Sequence, residues 1–391
     1  MKILYVAPYP PLRTGIADYA YHYKKAMEQK LGVQMDLLDL YQSESISMPR
    51  QFLALSRQIR LFKDIERYDL IHFEIGIGQN REFYILYFVK KYYPEKRVVA
   101  TIHDPPKVLS APMEFVGLRN MPRPVRGIRK LGDLTFGRCW ENQIMKKVDR
   151  ILVLTEEGKR QMQRRLRKEI DYLPFLCYGV SNGEKQHKGK VEKILFFGYL
   201  GSKKGIDILI KSFARLLHSN PKYKRIKLYI CGGLPEGGKQ TEFHGYLRKL
   251  PIDLGISENV IFTGRISESE KDSCLGSSDI LVLPYRKDKT FGASATLIEG
   301  MGYGLPVIVS DVKSFPTEID NGKTGLLFED GNIEMLAEKL KLLIEDNQLR
   351  TQLGENARKH IIREHNWEYI ADNMGQIYKA CLEKDPDENS N

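Results

Sequence analysis

The sequence predicts an α/β fold with two tandem Rossmann-like domains, each a doubly wound parallel sheet. Apolar runs typical of strands alternate with amphipathic stretches typical of helices. The alternation stops once, in the polar, Gly- and Lys-rich stretch 179–190, and then begins again. The length of 391 residues also suits two domains of ordinary size. Ligands bind beyond the carboxyl ends of the strands in such sheets, so we expect the site in a cleft across which the domains face each other.

The first half of the chain predicts one complete domain, residues 1–180. Each predicted strand is a short apolar run, and each predicted helix carries apolar residues at a helical spacing. The predicted strands are 3–9, 35–40, 70–75, 98–103 and 151–155, and the predicted helices are 16–31, 52–66, 82–93 and 138–149.

The second half predicts a second domain, residues 191–365. The predicted strands are 194–197, 226–231, 260–264, 280–285 and 306–310, and the predicted helices are 204–218, 241–250, 268–277 and 296–303. Three further helices are expected at 332–346, 347–363 and 366–383, before a charged tail. The sequence NGKTGLLF (321–328) lacks the first Gly of a phosphate loop, so it is interpreted as a turn before a short strand.

The net charge of +11 comes entirely from the first half of the chain. Residues 1–180 hold 31 Lys and Arg against 20 Asp and Glu, whereas residues 181–391 hold 30 of each. Most of the excess lies in 107–168, where cations stand among apolar residues. This pattern predicts contact with an anionic membrane surface, although a solvated basic face remains an alternative. Nucleic acid is not expected, since aromatic and basic residues do not interleave.

Several site classes are excluded by simple patterns. The five cysteines are far apart and odd in number, so neither a disulfide framework nor a CxxC metal pair is expected. The expected compartment is a reducing cytoplasm. No apolar run approaches the roughly 20 residues of a membrane span. We interpret the apolar start as a first strand rather than a signal peptide. A DxD pattern occurs only at Asp385–Asp387 in the tail, so no metal and no cofactor are predicted.

The stretch FGASATLIEGMGYGLPVIVSD (291–311) contains one acidic residue, Glu299, before Asp311. A lone carboxylate among small and apolar residues is a candidate for a functional group. A helix is predicted to begin near Thr296, where free N–H groups and the positive dipole end suit phosphate. Ser294 and Thr296 are candidate caps. A carboxylate one turn into this helix can accept hydrogen bonds from two ribose hydroxyls. The alternative is a glutamate that only stabilises the helix dipole.

The segment EGMGYGLPVI (299–308) resembles the signature of glycosyltransferase family 4, whose enzymes use nucleotide sugars and have the GT-B fold. By this resemblance Glu299 is the second Glu of an E-x7-E motif and holds the donor ribose. Phe291 stands at the position of the first Glu, which contacts the transferred sugar in the family. The resemblance therefore implies that Ser294, Ala295 and Thr296 take over this contact through N–H and hydroxyl groups.

Three other segments resemble the same family. FFGYLGSKKG (196–205) matches its Gly-Arg-Leu-x3-Lys-Gly pattern, which implies that Lys204 contacts the diphosphate. Tyr199 stands at the Arg position, and Lys203 or Arg265 is expected to replace that cation. PYPPLRTGIADYA (8–20) resembles an N-terminal glycine loop, whose expected ligand contacts are Thr14, Gly15 and Ile16. His103 in TIHDPP (101–106) matches a family histidine near the donor sugar.

Together these features predict a retaining, metal-independent hexosyltransferase. It would move a hexose from a nucleoside diphosphate sugar to a hydroxyl on a saccharide, such as a lipid-linked or cell-surface polysaccharide precursor. The expected catalytic residues are His103, Lys204 and Glu299. By resemblance the helix 366–383 packs on the first domain, and a cytoplasmic protein peripheral to the inner membrane face is expected. The alternative is a non-catalytic basic two-domain protein that binds nucleic acid or anionic membrane.

Overall fold

The computed structural model describes residues 1–12, 14–38, 48–76, 80–109, 137–178, 189–233, 241–288 and 290–383. The chain divides into two compact units. The first unit contains Met1–Leu176, Thr290–Ala293 and Trp367–Asn391, and the second contains Cys177–Lys289 and Ser294–Asn366. Each unit is built on one six-stranded sheet. Most of the linker predicted at 179–190, and the whole tail from 384, lie outside the described residues.

The sheet of the first unit is parallel throughout and has the order β2-β1-β3-β4-β5-β6. Its strands are β1 (Lys2–Val6), β2 (Gln34–Leu37), β3 (Leu70–Ile75), β4 (Arg97–Ile102), β5 (Arg150–Val153) and β6 (Asp171–Tyr172). Every residue of β3 is buried, as expected where helices cover both faces of a parallel sheet.

The helices of the first unit follow the amphipathic stretches of the sequence. They are Gly15–Leu31, Met48–Leu61, Asn80–Tyr92, Arg138–Lys146, Glu156–Leu166 and Trp367–Glu383, with a 3-10 segment at Lys63–Arg67. The last helix is separated in sequence from the others, but it packs along the first one, Gly15–Leu31. Its buried residues include Met374 and Tyr378, so it completes the core of this unit.

The sheet of the second unit is also parallel and has the order β12-β11-β10-β7-β8-β9. Its strands are β7 (Lys193–Phe197), β8 (Lys227–Cys231), β9 (Val260–Gly264), β10 (Ile280–Leu283), β11 (Val307–Ser310) and β12 (Leu326–Phe328). β12 is the short strand predicted after the turn at 321–325. The two central strands β10 and β11 are buried along their full length.

The helices of the second unit are Ile206–Ser219, Thr241–Asp253, Glu268–Ser277, Ala295–Gly302, Phe315–Glu318, Ile333–Glu345 and Asn347–Glu364, with 3-10 segments at Ser202–Lys204, Pro221–Arg225 and Ser257–Asn259. Among the residues that the structure describes, no helix is both long and apolar enough to cross a bilayer.

The predicted fold class is confirmed by the two parallel sheets, and the differences lie at element boundaries and in short elements such as β6 and the helix Phe315–Glu318. The first strand ends at Val6 rather than residue 9, because the following segment contains Pro8 and Pro10, which have no N–H to give to a sheet. The helix predicted from 204 begins at Ile206, since Gly205 has φ +64° and cannot lie inside a right-handed helix. β6, at two residues, was too short to be predicted from periodicity.

Candidate functional site

The loops that follow β7 and β10 are packed directly onto each other in the second unit. A Cβ atom added to Gly205 would lie 1.7 Å from the carbonyl oxygen of Pro284, so only glycine allows this approach. The N–H of Arg286 donates to the carbonyl oxygen of Lys203 over 2.9 Å. Since β7 and β10 are neighbours in a parallel sheet, both loops leave its carboxyl edge. This packing brings Lys204, which precedes Gly205, close to Tyr285, which follows Pro284.

Lys204 and Tyr285 are in direct contact. The Nζ atom of Lys204 lies 3.7 Å from the centroid of the Tyr285 ring, which is a close cation–π contact. Tyr285 is only 3% exposed. Burial raises the pKa of its phenol, but the charge of Lys204 and hydrogen bonds from Lys204 and Ser294 leave the pKa below its ordinary value. The charge of Lys204 beside this ring makes the edge of the sheet favourable for an anion.

Ser294 links this cluster to the helix Ala295–Gly302. It is the N-cap of that helix, and its Oγ atom accepts from the N–H of Leu297 at 3.4 Å. Ala295 and Thr296 form the first helical turn, where N–H groups have no acceptor within the helix. The helix lies close on the sheet, since a Cβ atom at Gly300 would stand 2.3 Å from a methyl group of Leu281. The structure therefore brings Lys204 and the helix N-terminus to one place.

Glu299 is buried on this helix, at 3% exposure. Its Oε1 atom lies 2.9 Å from Nζ of Lys271, which is also 2.6 Å from Oε2 of Glu268. Burial raises the pKa of the Glu299 carboxyl above its usual value, although Lys271 opposes the rise. Burial lowers the pKa of Lys271, but Glu299 and Glu268 outweigh this effect and raise it. The sequence does not reveal Lys271, which is one polar residue of a largely polar helix, Glu268–Ser277.

Tyr199, at the family's arginine position, and the two expected replacements Lys203 and Arg265 lie in different surroundings. Tyr199 has a side chain that is 41% exposed. Lys203 points to Asp288, with Nζ 2.8 Å from Oδ2, and its side chain is 67% exposed. Arg265, which follows β9 at the sheet edge, leans over the backbone of Gly233, where a Cβ atom would lie 3.4 Å from that of Arg265. None of these contacts brings Lys203 or Arg265 to the Tyr285 ring.

Phe291 belongs to the first unit and is held there by main-chain hydrogen bonds. Its N–H donates to the carbonyl oxygen of Pro105 over 2.7 Å, and its carbonyl oxygen accepts from Oγ1 of Thr155. A Cβ atom on Gly292 would stand 2.3 Å from the carbonyl oxygen of His103, so glycine is required there. The position of the family's first Glu is thus fixed by main-chain bonds beside His103.

His103 is held by a buried carboxylate. It follows β4, it is 8% exposed, and its Nε2 atom lies 2.7 Å from Oε2 of Glu74. The other carboxylate oxygen, Oε1, accepts from the hydroxyl of Tyr5 at 2.9 Å. The edge of the Tyr19 ring packs on the imidazole, with centroids 5.1 Å apart. With Nε2 donating to the carboxylate, Nδ1 is the ring nitrogen left to accept a hydrogen bond. Glu74 was not predicted, since its strand appeared only as an apolar run.

A second histidine, His72, lies on β3 two residues before Glu74, so the two side chains are on the same face of the strand. Its Nδ1 atom is 2.7 Å from the hydroxyl of Tyr378 and its Nε2 atom is 2.8 Å from Oγ1 of Thr101. Tyr378 also bonds the hydroxyl of Tyr23 at 3.0 Å. Burial lowers the pKa of His72 to about 4, against the opposing charge of Glu74. His72 is therefore a neutral structural residue at neutral pH.

The predicted glycine loop lies beside His103 in the same unit. Thr14 is the N-cap of the first helix, and its Oγ1 atom accepts from the N–H of Ala17 at 3.1 Å. A Cβ atom at Gly15 would meet nothing within 4 Å. Ile16 packs on Gly76, where a Cβ atom would be 2.1 Å from Cδ1 of Ile16 and 3.3 Å from a carboxylate oxygen of Asp104. The loop and the His103 segment are therefore neighbours.

The basic stretch 107–168 is described only in part, because 110–136 lies outside the described residues. Within the helix Glu156–Leu166, Arg160 and Arg164 are exposed. Arg165 is not available to a ligand: its side chain is 8% exposed, its NH1 atom lies 2.9 Å from Oε1 of Glu141, and its Nε atom donates to Asn142. Glu141 in turn accepts from the N–H of Val108 at 3.0 Å.

Residues 181–360 match the family model described as glycosyl transferases group 1. The D-inositol 3-phosphate glycosyltransferase of Corynebacterium kroppenstedtii is 26% identical over 266 residues, which are 64% of this chain and 57% of that protein. That of Corynebacterium jeikeium is 30% identical over 191 residues, which are 49% of this chain and 44% of that protein. The chain thus spans about half the length of the curated relatives it matches.

Solved structures are similar over nearly the whole chain. Anabaena HepE in complex with UDP-glucose has a TM-score of 0.71 at 15% identity, over 97% of this chain and 100% of that one. Sucrose-phosphate synthase from Thermosynechococcus elongatus has a TM-score of 0.70 at 17% identity, over 97% of this chain. Identities this low show the fold alone, which is the GT-B fold of two Rossmann-like domains. The chain is thus similar to glycosyltransferases, through the group 1 match in residues 181–360 and through the relatives above.

Proposed function

We propose that the protein is a retaining, metal-independent glycosyltransferase that moves a hexose from a nucleoside diphosphate sugar to a hydroxyl of a saccharide or lipid-linked acceptor. One observation supports this most strongly. A buried carboxylate, Glu299, lies one turn inside a helix whose N-terminus is joined through Ser294 and Tyr285 to the cation of Lys204. Ribose hydroxyls and a diphosphate are the two chemical groups that such a combination binds.

The donor would lie against the second unit. Lys204 and the first N–H groups of the helix Ala295–Gly302 would hold the diphosphate, and Glu299 would accept hydrogen bonds from the ribose. Ser294, Ala295 and Thr296 are proposed to contact the hexose, since Phe291 offers no carboxylate at the position of the family's first Glu. UDP-glucose, seen in the HepE structure, is the first donor to test.

The reaction needs charge stabilisation more than a protein nucleophile. The bond between the anomeric carbon and the diphosphate oxygen would break, and the acceptor oxygen would bond to the same face of that carbon. The acceptor proton would pass to the departing diphosphate. Lys204 would favour departure, because its charge stabilises the developing negative charge of the diphosphate. His103, oriented by Glu74, is proposed to bond a hydroxyl of the sugar or acceptor.

A membrane-associated acceptor is the finer part of the proposal. The exposed Arg160 and Arg164 belong to the basic half of the chain and suit anionic lipid. A related solved structure is the lipopolysaccharide outer core galactosyltransferase WaaB, at a TM-score of 0.65 and 17% identity. By analogy with that protein, a saccharide at a cell surface is the class of acceptor to test.

A panel of UDP- and GDP-sugars tests the proposal. We expect one donor to raise the Tm of the protein and to release nucleoside diphosphate, with EDTA making no difference. Glu299→Ala should abolish both effects while the circular dichroism spectrum is kept. Release of nucleotide at the normal rate by Glu299→Ala would contradict the ribose assignment, and a requirement for added Mg²⁺ or Mn²⁺ would contradict metal independence.

A further inference from the structure

Two lysine side chains reach the same tyrosine ring in the second unit. Besides Lys204 at 3.7 Å, Lys313 has its Nζ atom 5.8 Å from the ring centroid of Tyr285. Both lysines lower the pKa of the phenol against the effect of burial. Like charges repel, so two ammonium groups that share one buried ring lie in a place where an anion would be favourable.

The topology explains why they meet. Lys204 follows β7, Tyr285 follows β10 and Lys313 follows β11, and these three strands are neighbours in the order β11-β10-β7. The hydroxyl of Ser310, at the end of β11, donates to the carbonyl oxygen of Tyr285 over 2.6 Å. Three adjacent loops at the carboxyl edge of a parallel sheet therefore form one cationic cluster, where ligands of such sheets bind.

The backbone at Lys313 adds an independent observation. Its φ is +58°, and of the residues that the structure describes only Arg167 is another non-glycine with positive φ. A left-handed conformation costs free energy for a lysine and none for glycine. Lysine at such a position suggests that its side chain has a use, and strained residues of this kind concentrate at ligand sites.

We propose that Lys313 is a second cation of the phosphate site, beside Lys204. It supplies the charge that Tyr199 does not provide at the family's arginine position. This inference rests on the proposed nucleoside diphosphate donor and adds to it. It also differs from the expectation that Lys203 or Arg265 would replace the arginine, since Lys313 is the residue that shares the Tyr285 ring with Lys204.

Lys313→Gly is the informative variant, because it removes the cation and relieves the backbone at once. We expect its Tm to be unchanged or raised. Its Kd for UDP, or for GDP if GDP is the nucleotide bound, should rise about tenfold by isothermal titration, the size of one charge-assisted hydrogen bond. The Kd for the nucleoside without phosphates should not change. Lys313→Arg should keep most of the affinity.

Arg167→Gly is the matched control, since it relieves the same backbone strain in the other unit. It should leave the Kd for the nucleotide unchanged. Normal nucleotide affinity in Lys313→Gly, with affinity lost in Lys204→Ala, would overturn the role of Lys313 and leave the proposed function intact. Failure of the unchanged protein to bind either nucleotide would overturn both.

Discussion

Lys271 and Glu299 form an ion pair inside the second unit, with Nζ 2.9 Å from Oε1 and both side chains less than a tenth exposed. The pair changes how the candidate ribose ligand must be understood. Burial favours the protonated form of such a carboxylate, but the charge of Lys271 opposes this effect and favours the ionised form of Glu299. Lys271 is in turn held by the exposed carboxylate of Glu268.

The first prediction concerns the pH dependence of donor binding. Burial raises the pKa of Glu299, and Lys271 lowers it in part. Nucleotide affinity should therefore be full above this raised pKa and should fall as the pH drops through it. Removing the cation in Lys271→Met should raise the pKa further, so the loss should begin at a higher pH. The measurement is the Kd for UDP or GDP at a series of pH values from about 5 to about 8.

Lys249→Met is the control for this experiment, since Lys249 lies on an exposed helix face in the same unit. It should leave the pH profile unchanged. An unchanged profile in Lys271→Met as well would mean that Lys271 does not tune Glu299.

The second prediction concerns Glu74 as a positioning residue for His103. Glu74→Gln keeps the shape but removes the charge that orients the imidazole, so kcat should fall by about 10- to 100-fold, as it does when a metal-binding histidine loses its carboxylate partner. KM for the donor should change little. The double variant Glu74→Gln with His103→Gln should be no slower than His103→Gln alone, because Glu74 acts through His103.

Tyr5→Phe provides the comparison, since it removes only the bond to the other oxygen of Glu74. Its effect on kcat should be much smaller than that of Glu74→Gln. Additive losses in the double variant would show that the two residues act separately.

The third prediction concerns the stability of the first unit at acid pH. The pKa of His72 is about 4 in the folded chain and about 6.5 when unfolded, so the unfolded state binds more protons between these values. The contribution of neutral His72 to the free energy of unfolding is thus present in full above about pH 6.5, and it is lost as the pH falls towards 4. The full effect is on the order of 3 kcal/mol.

Hydrogen exchange of the β3 peptide, corrected for the intrinsic rate, measures this loss. In His72→Gln the fall in protection between about pH 6.5 and about pH 4.5 should be smaller than in the unchanged chain. Equal falls in the two proteins would place the acid sensitivity elsewhere.

The fold could be predicted from the sequence because central strands of both sheets are buried on both faces. Such strands appear as plain apolar runs, as β3, β10 and β11 do. Boundaries were less accurate where backbone geometry decided them, as at Pro8 and Gly205. The two-residue β6 depends on pairing with β5, which periodicity does not reveal.

The candidate site was predictable where one residue type in a short motif carries the chemistry, as for Lys204, Glu299 and His103. Their roles remain predictions. The partners Lys271, Glu74 and Lys313 could not be predicted, because each comes from a separate element and only the folded chain brings it to its neighbour. The ion pairs of Lys203 with Asp288 and of Arg165 with Glu141 could not be predicted from the sequence for the same reason.

Comparing nucleotides with and without ribose hydroxyls tests the central claim most directly. The claim is that Glu299 binds the pentose of an activated sugar. For whichever of UDP and GDP binds, the 2′,3′-dideoxy form should bind about tenfold or more weakly to the unchanged protein, since two hydrogen bonds to a charged acceptor are lost. In Glu299→Ala both forms should bind equally weakly. A full preference for the hydroxylated nucleotide in Glu299→Ala would contradict the claim.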